Sequence, residues 1–391
     1  MDRLGFENLS LYFLKLVRYG ADVERAQREL PPEKPEGVEW EDVYKLADKH
    51  SLTALTYRVV QNLKEKPSEE LLKKWEHEYM VGLLADSQQL YAWEELQEVF
   101  SEKGLKILPL KGIYLKELYP ETVLRQMGDL DVLYEKERFP EVKAAMKELG
   151  YTFQSETIAS NHQIFNRAPV TEVEMHSDLL PLNFCLYDYY KEPWEKAVKT
   201  ERENVYKFNR NDEYLFLAIH AAKHFVEFGN GVRTIVDFYL YRRKYEQELD
   251  FAYIQKEIEK ADEIAVKNGE KAIVSGFEKL IIETGKKWME QEEFSLSGTD
   301  VGLLTDGVYG HAERAWERAV QKEGGKFKYI LRRIFPPFKD FKAKHPSLKK
   351  FPFLLPFFWF KRFCRGVFKK RKTTMRELRY LNVREEKKKG D

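Results

Sequence analysis

Two aspartates stand one residue apart in Arg125-Gln126-Met127-Gly128-Asp129-Leu130-Asp131-Val132-Leu133. The run into Val132 and Leu133 reads as the start of a β-strand, and side chains alternate faces along a strand. Asp129 and Asp131 therefore project to one side, and Leu130 and Val132 to the other. Two carboxylates a few ångströms apart repel each other unless a proton or cation lies between them. A hard divalent ion with oxygen ligands suits the pair, so Mg²⁺ is the expected occupant, with Mn²⁺ as its substitute. Taken alone, the same pair also fits an ordinary surface strand.

Its neighbours sharpen the reading. Glu174 lies in Val173-Glu174-Met175-His176, where apolar residues alternate against Glu174 and His176 as on a second strand. If the two strands are neighbours in one sheet, three carboxylates converge. Three such acids can hold two divalent ions, which bridge a nucleotide's phosphates and lower the pKa of an attacking hydroxyl. Glu174 is then placed to help accept the hydroxyl proton. Upstream, Lys111-Gly112 ends one strand and opens a helix. Glycine lets backbone N–H groups approach a phosphate, a helix N-terminus favours negative charge, and Lys111 adds a point charge. The outline is metal-assisted phosphoryl or nucleotidyl transfer.

Other polar residues have two readings each. His220 and His224 are four apart and share one helix face. A zinc site of the H-E-x-x-H kind needs a glutamate after the first histidine, but Ala221 stands there. His220, Lys223 and His224 face nucleotide phosphates in one reading and pack against the sheet in the other. Arg125 either contacts phosphate or pairs with an acid to hold the loop before Asp129. His176 shares a face with Glu174 and is expected to orient it. His162 is a further candidate of the same kind. His50 and His77 read as ordinary helix residues.

The elements that must position these groups follow from periodicity. Residues 1–103 read as a helical region, with Ser68 capping a long helix that carries Leu71, Trp75, Leu83, Leu90, Leu96 and Phe100. From Gly104 short strands and helices mix: a strand at 105–110, a helix at 113–118, a strand at 129–134, and a helix at 139–149 closed by Gly150. Strands then begin at Tyr151 and run over 162–166 and 171–176, the last two joined by a turn at Arg167-Ala168-Pro169. We expect an α+β fold, a small mixed-sheet core over 104–210 embedded between helical regions. The second helical region, 211–325, opens with Asn211 or Asp212 as cap and holds helices at 232–245, 251–268 and 271–283. A polar loop is expected over 295–306 and a helix over 309–321.

Charged residues make up 34% of the 391 and aromatics 14%, which fits neither a disordered chain nor a membrane bundle. Two cysteines, Cys185 and Cys364, suit a reducing compartment. With no signal-like opening and no apolar run near the roughly 20 residues of a spanning helix, a cytoplasmic chain is expected. The net charge of +1 hides a basic aromatic tail over 326–391, where Asp340 is the only acid before Glu377. Pro352 and Pro356 break the apolar run at Phe351–Phe360. Its basic flanks suit peripheral contact with anionic lipid through 349–372, or a nucleic acid, or plain solvation.

Leu110-Lys111-Gly112, the Arg125 to Asp131 segment, His162, Val173 to His176, and His220 to His224 followed by Arg233 and Asp237 resemble an uncharacterised nucleotidyltransferase family. That family belongs to the DNA polymerase beta-type superfamily, and the resemblance spans roughly residues 40 to 245. It implies that Asp129 and Asp131 bind both metals and that Glu174 completes the catalytic metal site. The wider superfamily has Gly-Ser where this chain has Lys111-Gly112, a change usual in the smaller family, and Glu174 is one methylene longer than the usual aspartate. The expected activity is Mg²⁺-dependent transfer of a nucleoside monophosphate from an NTP to a hydroxyl acceptor: a protein side chain, a sugar or lipid precursor, or a nucleic-acid end. The rival readings are a catalytically inactive nucleotide-binding module and a membrane-surface interaction protein.

Overall fold

The computed structural model describes residues 3–156, 161–169 and 171–307, and, of the remainder, 316, 319–320, 323–338, 348, 351–364, 375, 377 and 380–381. The chain forms two compact units, one of residues 1–226 and 230–309, the other of 227–229 and 310–391.

In the first unit, five helices precede the sheet: α1 (Arg3–Ala21), α2 (Val23–Arg28), α3 (Trp40–Lys49), α4 (Thr53–Val60) and α5 (Glu69–Glu102). The Ser68 side chain accepts from the Leu71 amide, so α5 starts where its sequence says. Then come β1 (Ile107–Pro109), α6 (Gly112–Lys116), β2 (Leu130–Tyr134), α7 (Phe139–Glu148), β3 (Thr152–Glu156), β4 (His162–Arg167) and β5 (Thr171–His176). A hairpin of β6 (Ala197–Lys199) and β7 (Tyr206–Phe208) leads to α8 (Arg210–Glu227), α9 (Val232–Tyr245), α10 (Phe251–Lys267), α11 (Val274–Glu290) and α12 (Gly298–Asp306). The five-stranded sheet has the order β1-β2-β5-β4-β3. All its pairs are antiparallel except β2 with β5. The α+β class with a mixed sheet is therefore as expected.

Two apolar cores fix the sheet. Leu130, Val132 and Tyr134 of β2 with Val173 and Met175 of β5 pack against Leu96 and Phe100 of α5 and Val142, Ala145 and Met146 of α7. On the other face Leu133 joins the larger core built by the helices, α8 and α9 among them. The sheet thus carries α5 and α7 behind it, while its front face looks toward α8.

Three local expectations are corrected. The α8 cap is Asn209, whose Oδ1 accepts from the amides of Asn211 and Asp212, each at 3.0 Å. The loop expected over 295–306 contains α12: Ser297 and Asp300 form a capping box, and Leu303 and Leu304 bury the helix. The glycines and polar residues there disguise it. The helix expected over 271–283 is α11, which runs on to Glu290 because Trp288 and Met289 are buried. The helix expected over 309–321 falls mostly outside the described residues.

His50 locks α3 to this frame. It is fully buried; its Nδ1 accepts from the Val232 amide at 3.1 Å, which leaves the proton on Nε2, 3.1 Å from the Leu304 carbonyl. Burial, with Lys49 and Arg233 nearby, pushes its pKa down to about 3. A base depressed in the folded state lends stability above its unfolded pKa and loses it as pH falls toward the folded one. Between pH 7 and 5 that loss should be about 2 kcal/mol for this one group. Urea unfolding of wild type and His50→Asn at both pH values should show the variant losing less by that amount.

In the second unit, α13 (Lys326–Ile334) buries Tyr329 with Trp316 and Leu381. The helix α14 (Leu355–Cys364) lies alongside, with Trp359 edge-on to Phe335 and its indole N–H donating to the Pro336 carbonyl at 3.0 Å. Among the described residues no helix is long and apolar enough to cross a membrane.

Candidate active site

β2 and β5 lie side by side with Asp131 level with Glu174. Strand alternation that buries Val132 and Met175 behind the sheet sends Asp131, Glu174 and His176 to its front. Asp129 enters just ahead of β2, and ligand oxygens of Asp129, Asp131 and Glu174 all lie within 4.8 Å of one another. β4 completes the front face: His162 stands opposite His176, and its Nε2 is 3.4 Å from Glu174 Oε1.

The three acids do not share one electrostatic state. Asp131 is buried, with Lys111 Nζ at 3.0 Å and His176 Nε2 at 2.7 Å from the same Oδ1. Burial alone would raise its pKa, but those two partners hold it well below the usual carboxylate range. Asp129 has burial and the charge of Asp131 against it, only partly offset by Lys111, and is pushed up to about 6. Burial also opposes ionisation of Glu174, yet a hydrogen bond from His176 and the charge of His162 draw its pKa down. Burial works against a charged His176 too, but Asp131 and Glu174 raise its pKa. Neighbouring acids with pKa values driven apart are a mark of sites that do chemistry.

His176 was expected to orient Glu174. Its main partner is instead Asp131, with Glu174 Oε2 further off at 3.5 Å, because Nε2 reaches across from β5 to β2. Asn161 Nδ2, 3.3 Å from the other ring nitrogen, was missed by the sequence reading.

Lys111 reaches Asp131 from the end of β1 through a backbone at φ 47° and ψ −103°. A positive φ at a non-glycine residue costs of order 1–3 kcal/mol and marks a position over-determined by its surroundings. Gly112 packs against Met127: a Cβ there would press on Met127 Sδ, and the methionine would have to shift. The helix it opens, α6, has only five residues, so its dipole is small and the positive charge here is that of Lys111.

The loop that delivers Asp129 is strapped at four points. Arg125 turns inward, its Nε and Nη2 each 2.8 Å from the two oxygens of Asp237 on α9, and Tyr119 donates to the same carboxylate at 2.8 Å. Of the two readings of Arg125 the ion pair is the one observed, with Asp237 as the acid. Gln126 accepts through its side chain from Thr53 at 2.7 Å and through its carbonyl from Arg233, and Gln89 donates to the Met127 carbonyl at 2.9 Å. Thr53 and Gln89 carry no chemical signature, and sequence reasoning could not have found them.

His220 and His224 on α8 face the front of the sheet. Their Nε2 atoms are 3.2 Å apart, so one imidazole donates to the other and at least one is neutral. Burial together with the charges of Lys111, His224 and Lys223 pushes His220 well down. Burial with Lys223 and Lys111 pushes His224 down to about 3. Lys223 thus acts on both rings through its charge. His220, Lys223 and His224 are brought to the same side as Lys111, whereas Arg125 and Gly112 serve the loop behind it.

The mixed sheet thus brings three carboxylates together from the segment ahead of β2, from β2 and from β5, with α8 facing them. A family profile described as an uncharacterised nucleotidyltransferase matches residues 36–263, more than half of the chain. The chain belongs to that family, and the protein is an enzyme, a nucleotidyltransferase. None of the curated proteins matches it. Among solved structures it is similar to the antibiotic-resistance factor ANT(2'')-Ia, at 14% identity over 51% of this chain and 98% of that one, with a TM-score of 0.33. It is also similar to the Megavirus polyadenylate synthase, at 11% identity over 56% of this chain and 40% of that one, with a TM-score of 0.26.

Proposed function

We propose that the enzyme transfers a nucleoside monophosphate from an NTP to a hydroxyl acceptor at the front of the sheet, with Asp129, Asp131 and Glu174 as its metal-binding carboxylates. The observation that carries this is the register of β2 with β5, which sets Asp131 beside Glu174 with Asp129 within reach. The donor set fits a hard divalent cation: three carboxylates, two of them partly open, with burial and the charge of Asp131 keeping Asp129 reluctant to ionise. Mg²⁺ is the ion that three oxygen donors suit best, and the imidazole of His162 beside Glu174 makes the site tolerant of Mn²⁺. When bound, the cation neutralises phosphate charge and favours ionisation of the acceptor hydroxyl.

The chain's own residues divide the rest of the work. Lys111 neutralises Asp131 and, as the ammonium beside the three acids, would be placed to pair with the phosphates of a bound nucleotide. Glu174, with His162 behind it, takes the proton of the attacking hydroxyl. The hydroxyl oxygen forms a bond to the α-phosphorus, the bond from that phosphorus to the bridging oxygen breaks, and pyrophosphate leaves with the electron pair. His220 and His224, held neutral, share one Nε2–H between them, so one ring at a time has an N–H to turn to phosphate or ribose oxygens, without adding charge. Arg125, Asp237 and Gln89 fix the loop so that Asp129 meets its partners.

The test is incubation of the full chain with each α-labelled NTP and candidate acceptors from three classes: proteins, sugar or lipid precursors, and nucleic-acid ends. Divalent-dependent release of pyrophosphate with label retained on one acceptor is expected. Release of neither, across four nucleotides and both Mg²⁺ and Mn²⁺, would sink the proposal.

A further inference from the structure

We infer that the second unit carries a docking surface for an anionic lipid bilayer, formed by the outward faces of α13 and α14. Tyr329 turns α13 inward onto Trp316 and Leu381. Yet Phe327 and Leu331, four residues apart, form an apolar stripe on its other side that runs on to Phe335, whose ring is half-exposed beside Trp359. Trp359 likewise turns α14 inward onto Phe335. Phe353, Phe357 and Phe360, at spacings of four and three, project outward from that segment. These six side chains are between 46% and 78% exposed. A soluble surface rarely shows so many large apolar groups together.

Charge decides what covers them. From Lys326 to Arg376 the sequence has 17 lysines and arginines and one acid, Asp340. Lys328, Lys361 and Arg362 are exposed beside the apolar stripes. A second copy of this chain would bring the same positive charge against its own, so self-association is opposed. A bilayer supplies what both features need, an apolar layer beneath a negatively charged surface. Nucleic acid supplies the negative charge but leaves aliphatic Leu331 and outward phenylalanines on a convex helix without a partner. Pro352 and Pro356 keep the segment from spanning, so it lies at the interface.

The experiment is co-sedimentation of the full chain with phosphatidylcholine vesicles, with and without one-third phosphatidylserine, at low and high salt. Binding is expected to the anionic vesicles only, weakening at least tenfold at high salt. Phe353→Ser/Phe357→Ser/Phe360→Ser should weaken it about a hundredfold. Lys361→Gln/Arg362→Gln should weaken it about thirtyfold. All six side chains of the two stripes are exposed, so an unchanged melting temperature should show that both variants fold. Equal binding to neutral vesicles, unchanged binding by either variant, or displacement from vesicles by a DNA or RNA oligomer would overturn the assignment.

Discussion

Asp129→Asn should lower label transfer from an NTP about a thousandfold and leave the protein at least as stable as wild type. The loss corresponds to the several kcal/mol that a bound cation contributes to charge stabilisation in the transition state. The stability half of the result follows from the neighbours. Asp129 sits against Asp131 and Glu174, within 4.8 Å of both, and its charge is opposed by theirs. Removing that charge relieves a repulsion that outweighs its attraction to Lys111, and both contacts to Asp131 Oδ1 remain. Asp131→Asn should be equally inactive for the opposite structural reason. It strips the counter-charge from Lys111, 3.0 Å away, and from His176, 2.7 Å away, both on the same oxygen. Lys111 is half-buried and keeps the charges of Asp129 and Glu174 nearby, so losing its direct partner costs about 1–3 kcal/mol. Activity and urea unfolding measured on the two variants therefore separate the roles. If Asp129→Asn retained wild-type turnover, or if both variants lost stability alike, the assignment of the acids would be wrong.

The residues of that first test were legible in the sequence because their signal is local. Strand alternation over Asp129 to Leu133 and over Val173 to His176 is enough to give each acid a face. The same holds for α9, whose apolar spacing predicts 232–245 and whose observed span is Val232–Tyr245. What was not legible is pairing. Nothing in the composition of β2 says that its neighbour is β5, or that they run parallel, since the crossover passes through α7, β3 and β4. That pairing brings Asp131 to Glu174 across 43 residues, and His176 to Asp131 rather than to its own strand neighbour. Short elements escape for another reason: β6 and β7 have three residues each, too few for alternation to register. Gly112 shows the third limit. A side chain there would press on the sulfur of Met127, a neighbour that only the folded chain brings close.

The same non-local logic makes the Arg125–Asp237 pair the most sensitive strut outside the acids. Asp237→Ala should cost about 3–5 kcal/mol, because it leaves a guanidinium buried without its charge partner and removes the acceptor of the Tyr119 hydroxyl. Arg125→Met should cost nearly as much, for it leaves Asp237 in the same position. Much of that cost is the orphaned charge and not the lost attraction. Arg125→Met with Asp237→Asn should therefore recover a large part of the stability, since both charges go and asparagine still accepts from Tyr119. A coupling of about 2–3 kcal/mol between the two sites is expected from urea unfolding of the cycle of wild type, Arg125→Met, Asp237→Asn and the double variant. Activity should not recover with stability. The loop from Arg125 to Asp129 takes its position from the α9 anchor, and a side chain misplaced by about an ångström is enough to cost about a hundredfold in rate. A double variant that folds like wild type and turns over like wild type would mean the anchor serves stability alone. One that folds but stays slow would mean the buried pair aims Asp129 at its partners from 112 residues away.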